Sequence, residues 1–362
     1  MYILLLPAFS AYATESDNYS DRALILKKAN AAPVIEAMVD KLITAAVNEA
    51  NQTLDSRTPI EKRVIESLRK RLASDSFGVL ASIVQSQSPF KVYGVPVTPL
   101  EWVLDQQNNK QTRNLRSSGI LDLVAHPAMK TIKVLRWGND FDELLKTDFP
   151  VHNYGHRALL EDSIFNKLNI FESGISGMPG IMFVASLNIN NSVIGIDKLG
   201  HFFAQGYSYY ESSEAGRKIE VILKDGKFEE EGPFGKGIFG ISTFGSGVVS
   251  YADLAANYHG MLFWKAILEG SKPFIRIKDK QAEVVRKFKL ADYPLHTWDE
   301  AINISSYHGL AAKDIKKSIA KLGYEWDKPI DLKAAKSMSQ LNCASYYTSA
   351  LLKIDSECKE LE

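Results

Sequence analysis

The chain has 362 residues, with 43 basic and 43 acidic side chains, so its formal charge is zero and nothing in it points to nucleic acid or to an anionic membrane surface. Its apolar share of 45% is ordinary for a globular protein, and the length suffices for one large core or two smaller ones.

The first residues, Met1 to Ala13, form a short apolar stretch that ends in Ala11-Tyr12-Ala13 before the polar run from Thr14 to Ser20. This reads as a secretory signal cleaved after Ala13, although the usual basic residues at its start are missing. Behind Pro33, Ile35, Met38, Val39, Leu42, Ile43 and Ala46 recur at helical spacing, and the same period returns from Ile60 to Leu72 after Thr58-Pro59. Residues 14–88 are therefore expected to be a helical N-terminal region. Ser88 to Pro99 carries Pro89, Gly94, Pro96 and Pro99 and reads as an extended connector into a main domain over 100–362.

Within that domain the periodicity predicts helices at Ile120–Leu135, near Tyr154–Leu168, at Ile196–Tyr210 and at Tyr251–Leu268. Two hairpins are expected between them. One runs from Lys218 to Phe228 with its turn at Asp225-Gly226; the other runs from Phe274 to Phe288 with its turn near Asp279-Lys280. The fold class is thus mainly α with two small antiparallel β-hairpins. Gly232 and five further glycines up to Gly247 rule out a regular helix there. The longest apolar segment, Gly177 to Leu187, is too short to span a membrane, so the mature chain is expected to be soluble, with no transmembrane segment. Cys343 and Cys358 are the only cysteines; in an exported chain such a pair favours one local disulfide, with two free thiols as the alternative.

The most informative feature is a pair of helices. Asp197 and His201 lie four residues apart and share a face that Gln205 and Ser208 continue. Asp253 and Asn257 share a face in the same way, Ser250 is placed as an N-cap, and Ala252, Ala255, Ala256 and Gly260 permit a close helix approach. If the two helices pack together, Asp197, His201, Asp253 and Asn257 form one buried polar cluster, which either serves a reaction or simply ties the helices together.

At Asp197-Lys198-Leu199-Gly200-His201-Phe202, and at Ser250 to Gly260 with Asp253, Ala256, Asn257 and Gly260 in place, the chain resembles the predicted periplasmic lipoproteins and, more distantly, the VanZ-like membrane proteins. The likeness covers about residues 195–268. It implies an envelope location and packed motif helices, and it implies no particular reaction. The chain departs from the pattern in its long glycine-rich insertion and in lacking a lipobox cysteine after the signal.

The order helix, hairpin, glycine-rich segment, helix is also that of lysozyme-like glycosidases. Such an enzyme needs a protonated carboxylic acid and a second group across the scissile bond. Glu211 and Glu231 are the candidate acids, with Asp253 and Ser242 opposite; the bland reading of Glu229 to Glu231 is a solvated charge run. Tyr207 and its aromatic neighbours Tyr209, Tyr210, Phe234, Phe239, Phe244, Tyr251, Tyr258 and Trp264 suit either a glycan groove or a core. His152 and His156 have the spacing for one zinc if their segment is helical, with His201 and Asp197 as further ligands, but spacing alone fixes no third ligand and no metal is assigned. No phosphate-cradling loop and no Gly-x-Ser-x-Gly elbow occurs, and no cofactor is expected.

The leading expectation is therefore an exported hydrolase acting on peptidoglycan, with Asp197, His201, Asp253 and Asn257 as the scaffold of its groove. The competing ones are a non-enzymatic envelope scaffold or binding protein and a metal-dependent envelope hydrolase.

Overall fold

The structure, a computed structural model, describes residues 15–53, 57–73, 90–92, 95–97, 151–156, 158, 162–166, 183–231, 248–308 and 312–334. The expected helix at Ile120–Leu135, the glycine-rich segment with Ser242, the expected signal segment and both cysteines lie outside the described residues.

Among the described residues the fold is mainly helical, with small sheets of two or three strands. Helix α1 is a single turn, Arg22–Ile25. Helix α2 spans Ala32–Gln52, with Pro33 in its first turn, where a missing N–H costs nothing. Helix α3 spans Ile60–Leu72 behind Pro59. Each carries one apolar stripe: Ile35, Val39, Leu42, Ile43 and Ala46 on α2, and Val64, Leu68 and Leu72 on α3, all buried. Both stripes enter the same hydrophobic core as residues 185–298, so the N-terminal helices share their interior with the main domain.

Strand β1 (Glu15–Ser16) pairs in parallel with β5 (Phe183–Val184). Strands β2 (Phe90–Val92) and β3 (Val95–Val97) form a hairpin inside the expected connector. Strands β4 (Gly155–His156), β6 (Ser186–Ile189) and β7 (Ser192–Gly195) form a three-stranded sheet. Asn190 and Asn191, at φ 50° and 64°, make the tight β6–β7 turn, a conformation that asparagine adopts more readily than most residues. Every residue of β6 and β7 is buried, so these strands lack the alternation that marks a half-exposed one. The hairpin expected near Asp279-Lys280 is present as β9 (Ile275–Lys278) and β10 (Gln281–Val284).

Two expectations are corrected. The helix expected near Tyr154–Leu168 is not formed, because α4 covers only Val151–Tyr154 and the chain then enters β4. The hairpin expected at Lys218–Phe228 is instead helix α7, Ile219–Glu231. Ile222 and Leu223 bury one face of α7 against Tyr209, Leu254 and Met261. Gly226 is no turn residue: a Cβ there would fall on the Tyr209 ring, its hydroxyl first. The residue is small because a tyrosine from the neighbouring helix occupies the place of its side chain.

The motif helices complete the centre of the fold. The first runs unbroken through α5 (Asp197–Gly200), a π-helical segment (His201–Gln205) and α6 (Gly206–Glu214). The second is α8, Tyr251–Lys265. Phe202, Phe203, Phe263, Phe288, Tyr293 and Trp298 pack around them, with Phe202 centred 5.1 Å from Trp298 and 4.9 Å from Tyr293. Strands β8 (Val248–Val249) and β11 (Ser306–Tyr307) pair antiparallel, and helix α9 (Ala312–Lys321) lies beyond them.

Candidate functional site

The site is built where the two motif helices touch. Ser250 caps α8, its hydroxyl accepting the Asp253 N–H at 3.2 Å, which fixes the first turn and aims Asp253 inward. In the other helix the π-helical segment begins at His201, and the wider turn leaves that ring facing α8. The two helices then touch at several further points. His201 meets Asp253 and Asn257, Gly206 meets Gly260, and the Trp264 indole donates to the Phe203 carbonyl at 2.8 Å.

Lys198 is the hub. Its ammonium lies 2.7 Å from Asp197 Oδ2 and 2.5 Å from Glu300 Oε1, and it is also in ion-pair contact with Asp253 Oδ1. Glu300 Oε1 accepts a further hydrogen bond from the Ser250 hydroxyl at 2.9 Å. Asp253 Oδ2 lies 3.2 Å from His201 Nε2. The Asn257 amide places its nitrogen toward the carbonyl oxygens of His201 and Asp253, each at 3.2 Å, and toward His201 Nδ1 at 3.0 Å, an orientation assigned from its hydrogen-bonding neighbours. Both nitrogens of the imidazole are engaged. The side chains of Asp197, Lys198 and Asp253 are closed to solvent, and His201, at 12% exposure, is the member nearest to it.

Burial and mutual charge split the carboxylates. Burial pushes Glu300 up from 4.5 to about 7, with Asp253 and Asp197 adding to the effect against the pull of Lys198. Burial also raises Asp197. The burial of Asp253 acts in the same direction, but His201 and Lys198 outweigh it and hold this carboxyl well below the usual range. Oxygens of Asp197, Asp253 and Glu300 lie within 4.8 Å of one another, an arrangement that suits a cation. The Lys198 ammonium already takes that place.

The structure therefore brings together Asp197, His201, Asp253 and Asn257, the four residues expected to cluster. It adds Lys198, Glu300 and Ser250 as working members. Lys198 is within the motif, but in the sequence it reads only as a neighbour of Asp197. Glu300 lies 43 positions beyond Asn257, in a turn, where no spacing rule applies.

The other candidates fall elsewhere. Glu211 is exposed on α6, ten residues past His201, a helical rise of roughly 15 Å. Glu231 is the last residue of α7. Ser242 lies outside the described residues. Tyr207 is buried, its ring packed edge-on to Trp264 at 4.8 Å, and Tyr209 and Trp264 are buried with it. These rings serve the core. His152 and His156 do not share a helix, since α4 ends at Tyr154; His156 instead lies 3.4 Å from Asp21. That removes the shared helical face the zinc pair needed.

No helix among the described residues is long and apolar enough to cross a membrane. Comparison of the chain with protein-family models, with curated proteins and with solved structures finds no match.

Proposed function

We propose that this chain is an exported protein of the bacterial cell envelope that works as a scaffold or binding module, and that its buried ionic centre is a lock rather than a reaction centre. One observation carries the proposal: the centre is turned inward. Lys198 faces three carboxylates, both His201 nitrogens face α8, and the glutamate of the centre is buried. A general acid or base must reach a substrate atom, directly or through one water. The envelope location rests on the Met1–Ala13 segment and on the resemblance of the two helix motifs to the periplasmic lipoproteins.

A second reading, a lysozyme-like hydrolase of peptidoglycan, draws support from the opposed states of Glu300 and Asp253, because a split between two neighbouring carboxyls is how glycosidases divide acid from base. Turbidity clearing of purified peptidoglycan, acetylated and deacetylated, separates the two. The lock reading expects no clearing by the processed protein. Clearing that is lost in Glu300→Gln overturns it; clearing that is lost instead in Glu231→Gln or Glu211→Gln overturns it in favour of the glycosidase acids expected from the sequence.

A further inference from the structure

The turn that carries Glu300 is gripped from behind by residues 16–22. Arg22 forks onto Asp299, Nη1 to Oδ1 at 2.9 Å and Nη2 to Oδ2 at 2.8 Å, with both partners buried. Asp299 also accepts the backbone N–H of Val193 and of Ala301, each at 3.1 Å, so the fork fixes the turn to β7 as well as to α1. The Tyr19 hydroxyl donates to the Glu300 carbonyl at 3.3 Å, and its ring is buried with Ala301 and Tyr307. Asn18 donates to the Val193 carbonyl at 3.0 Å and accepts from the Ser186 hydroxyl at 2.9 Å. Ser16 and Asp197 Oδ1 both lie against Gly195, where any side chain would collide with them. Ser16, Asn18 and Tyr19 are all buried. Residues 16–22 thus direct several buried contacts at this one turn and at β7 beside it.

We propose that Ser16 to Arg22 form a clasp that positions Glu300, so that the N-terminal segment, and not the motif helices alone, sets how the glutamate meets Lys198. Tyr19 and Arg22 are positioning residues. They hold the Asp299 carboxylate and the Glu300 carbonyl, on either side of the Glu300 Cα, while the Glu300 carboxyl reaches Lys198 and Ser250. A bidentate guanidinium fork fixes both distance and angle, which an ammonium does not.

The proposal rests on the lock reading of the centre, and the two fail differently. Turnover by the wild-type protein defeats the lock; an unmoved glutamate defeats the clasp. The readout is the pH at which Glu300 ionises, followed by its carboxyl carbon resonance in full-length protein labelled at glutamate. The groups that act on it are Lys198, Asp253 and Asp197 from the motif helices, with Tyr19 of the clasp and Tyr307 of β11. His201 enters through Asp253.

Arg22→Lys, which keeps the charge and loses the fork, and Tyr19→Phe, which loses only the hydroxyl, are each expected to move the Glu300 midpoint by about half a pH unit or more. The control is Leu68→Ala, a buried change on α3 in a hydrophobic cluster separate from that of Tyr19, which lowers stability and is expected to leave the midpoint in place. If Arg22→Lys does not fold, Tyr19→Phe decides. A midpoint that stays at the wild-type value in the clasp variants, or moves no further than in Leu68→Ala, overturns the proposal.

Discussion

Gly206 and Gly260 meet backbone to backbone. A Cβ on Gly206 would lie 2.5 Å from the Gly260 Cα, and one on Gly260 would lie 1.8 Å from the Phe202 carbonyl oxygen. This contact sets the distance between the motif helices and so the room left for the ionic centre one turn away. The neighbouring atoms are backbone and cannot rotate aside. Gly260→Ala is therefore expected to cost about 1–3 kcal/mol or more as an overpacking change. Gly200, on the same helical run, has open space where its Cβ would be. Gly200→Ala should be neutral or stabilising by up to about 1 kcal/mol. Urea unfolding of the two variants checks the contrast, and equal effects would mean that the helices are not held at this spacing.

Among the described residues Lys198 is the only ammonium between three buried carboxyls, and removing it leaves them facing one another. Lys198→Met is expected to destabilise the protein by about 3–5 kcal/mol at pH 7, the range for breaking a buried ion pair. Adding Glu300→Gln to that variant removes one carboxyl and should restore part of the loss. A double variant no more stable than the single one would show that the carboxyls do not repel through this position.

The pH dependence of stability contains two opposed contributions. Glu300 is held above its ordinary value, from 4.5 up to about 7, so its contribution is complete below about pH 4.5 and is lost as pH rises toward 7. His259 is pushed down by burial, from 6.5 to about 3, while it accepts the Trp298 indole N–H at 2.8 Å. Its contribution is present above pH 6.5 and is lost as pH falls through that window. Glu300→Gln should therefore gain stability with rising pH more steeply than wild type between pH 5 and 7.5, by about 2 kcal/mol over the window. His259→Gln, which keeps an acceptor for the indole, should show the opposite change. Parallel profiles for wild type and Glu300→Gln would mean that this carboxyl does not titrate there.

The proposed export makes a simple prediction of its own. When the gene product is expressed with a working secretory pathway, N-terminal sequencing of the folded protein should begin at Thr14, two residues before Ser16 enters the core. A product that begins at Met1 and folds with a protected clasp would contradict both the signal and its cleavage point.

Much of the centre is legible without coordinates. Four-residue spacing places Asp197 with His201 and Asp253 with Asn257, Ser250 declares a helix start, and the small residues of α8 announce a close approach. The stripes of α2 and α3 are equally direct. Other features mislead. Ile219, Ile222 and Leu223 with Asp225-Gly226 resemble a strand and its turn, yet a packed Tyr209 makes that glycine part of a helix. Strands β6 and β7 are buried on both faces and so carry no alternation to read. The aromatic run around Tyr207 gives the same pattern whether it lines a groove or fills a core, and burial alone distinguishes them.

What the sequence by itself determined is local: helix faces, caps, one hairpin turn and the residue types of a polar cluster, because these depend on spacing along a few turns of chain. What only the tertiary structure decided is the identity of the hub. Lys198 becomes the centre because Glu300 arrives from a distant turn, and Glu300 arrives because Arg22 and Tyr19 hold that turn across more than 270 residues of intervening chain. Buried charges must find partners, and partners this far apart in sequence are chosen by packing.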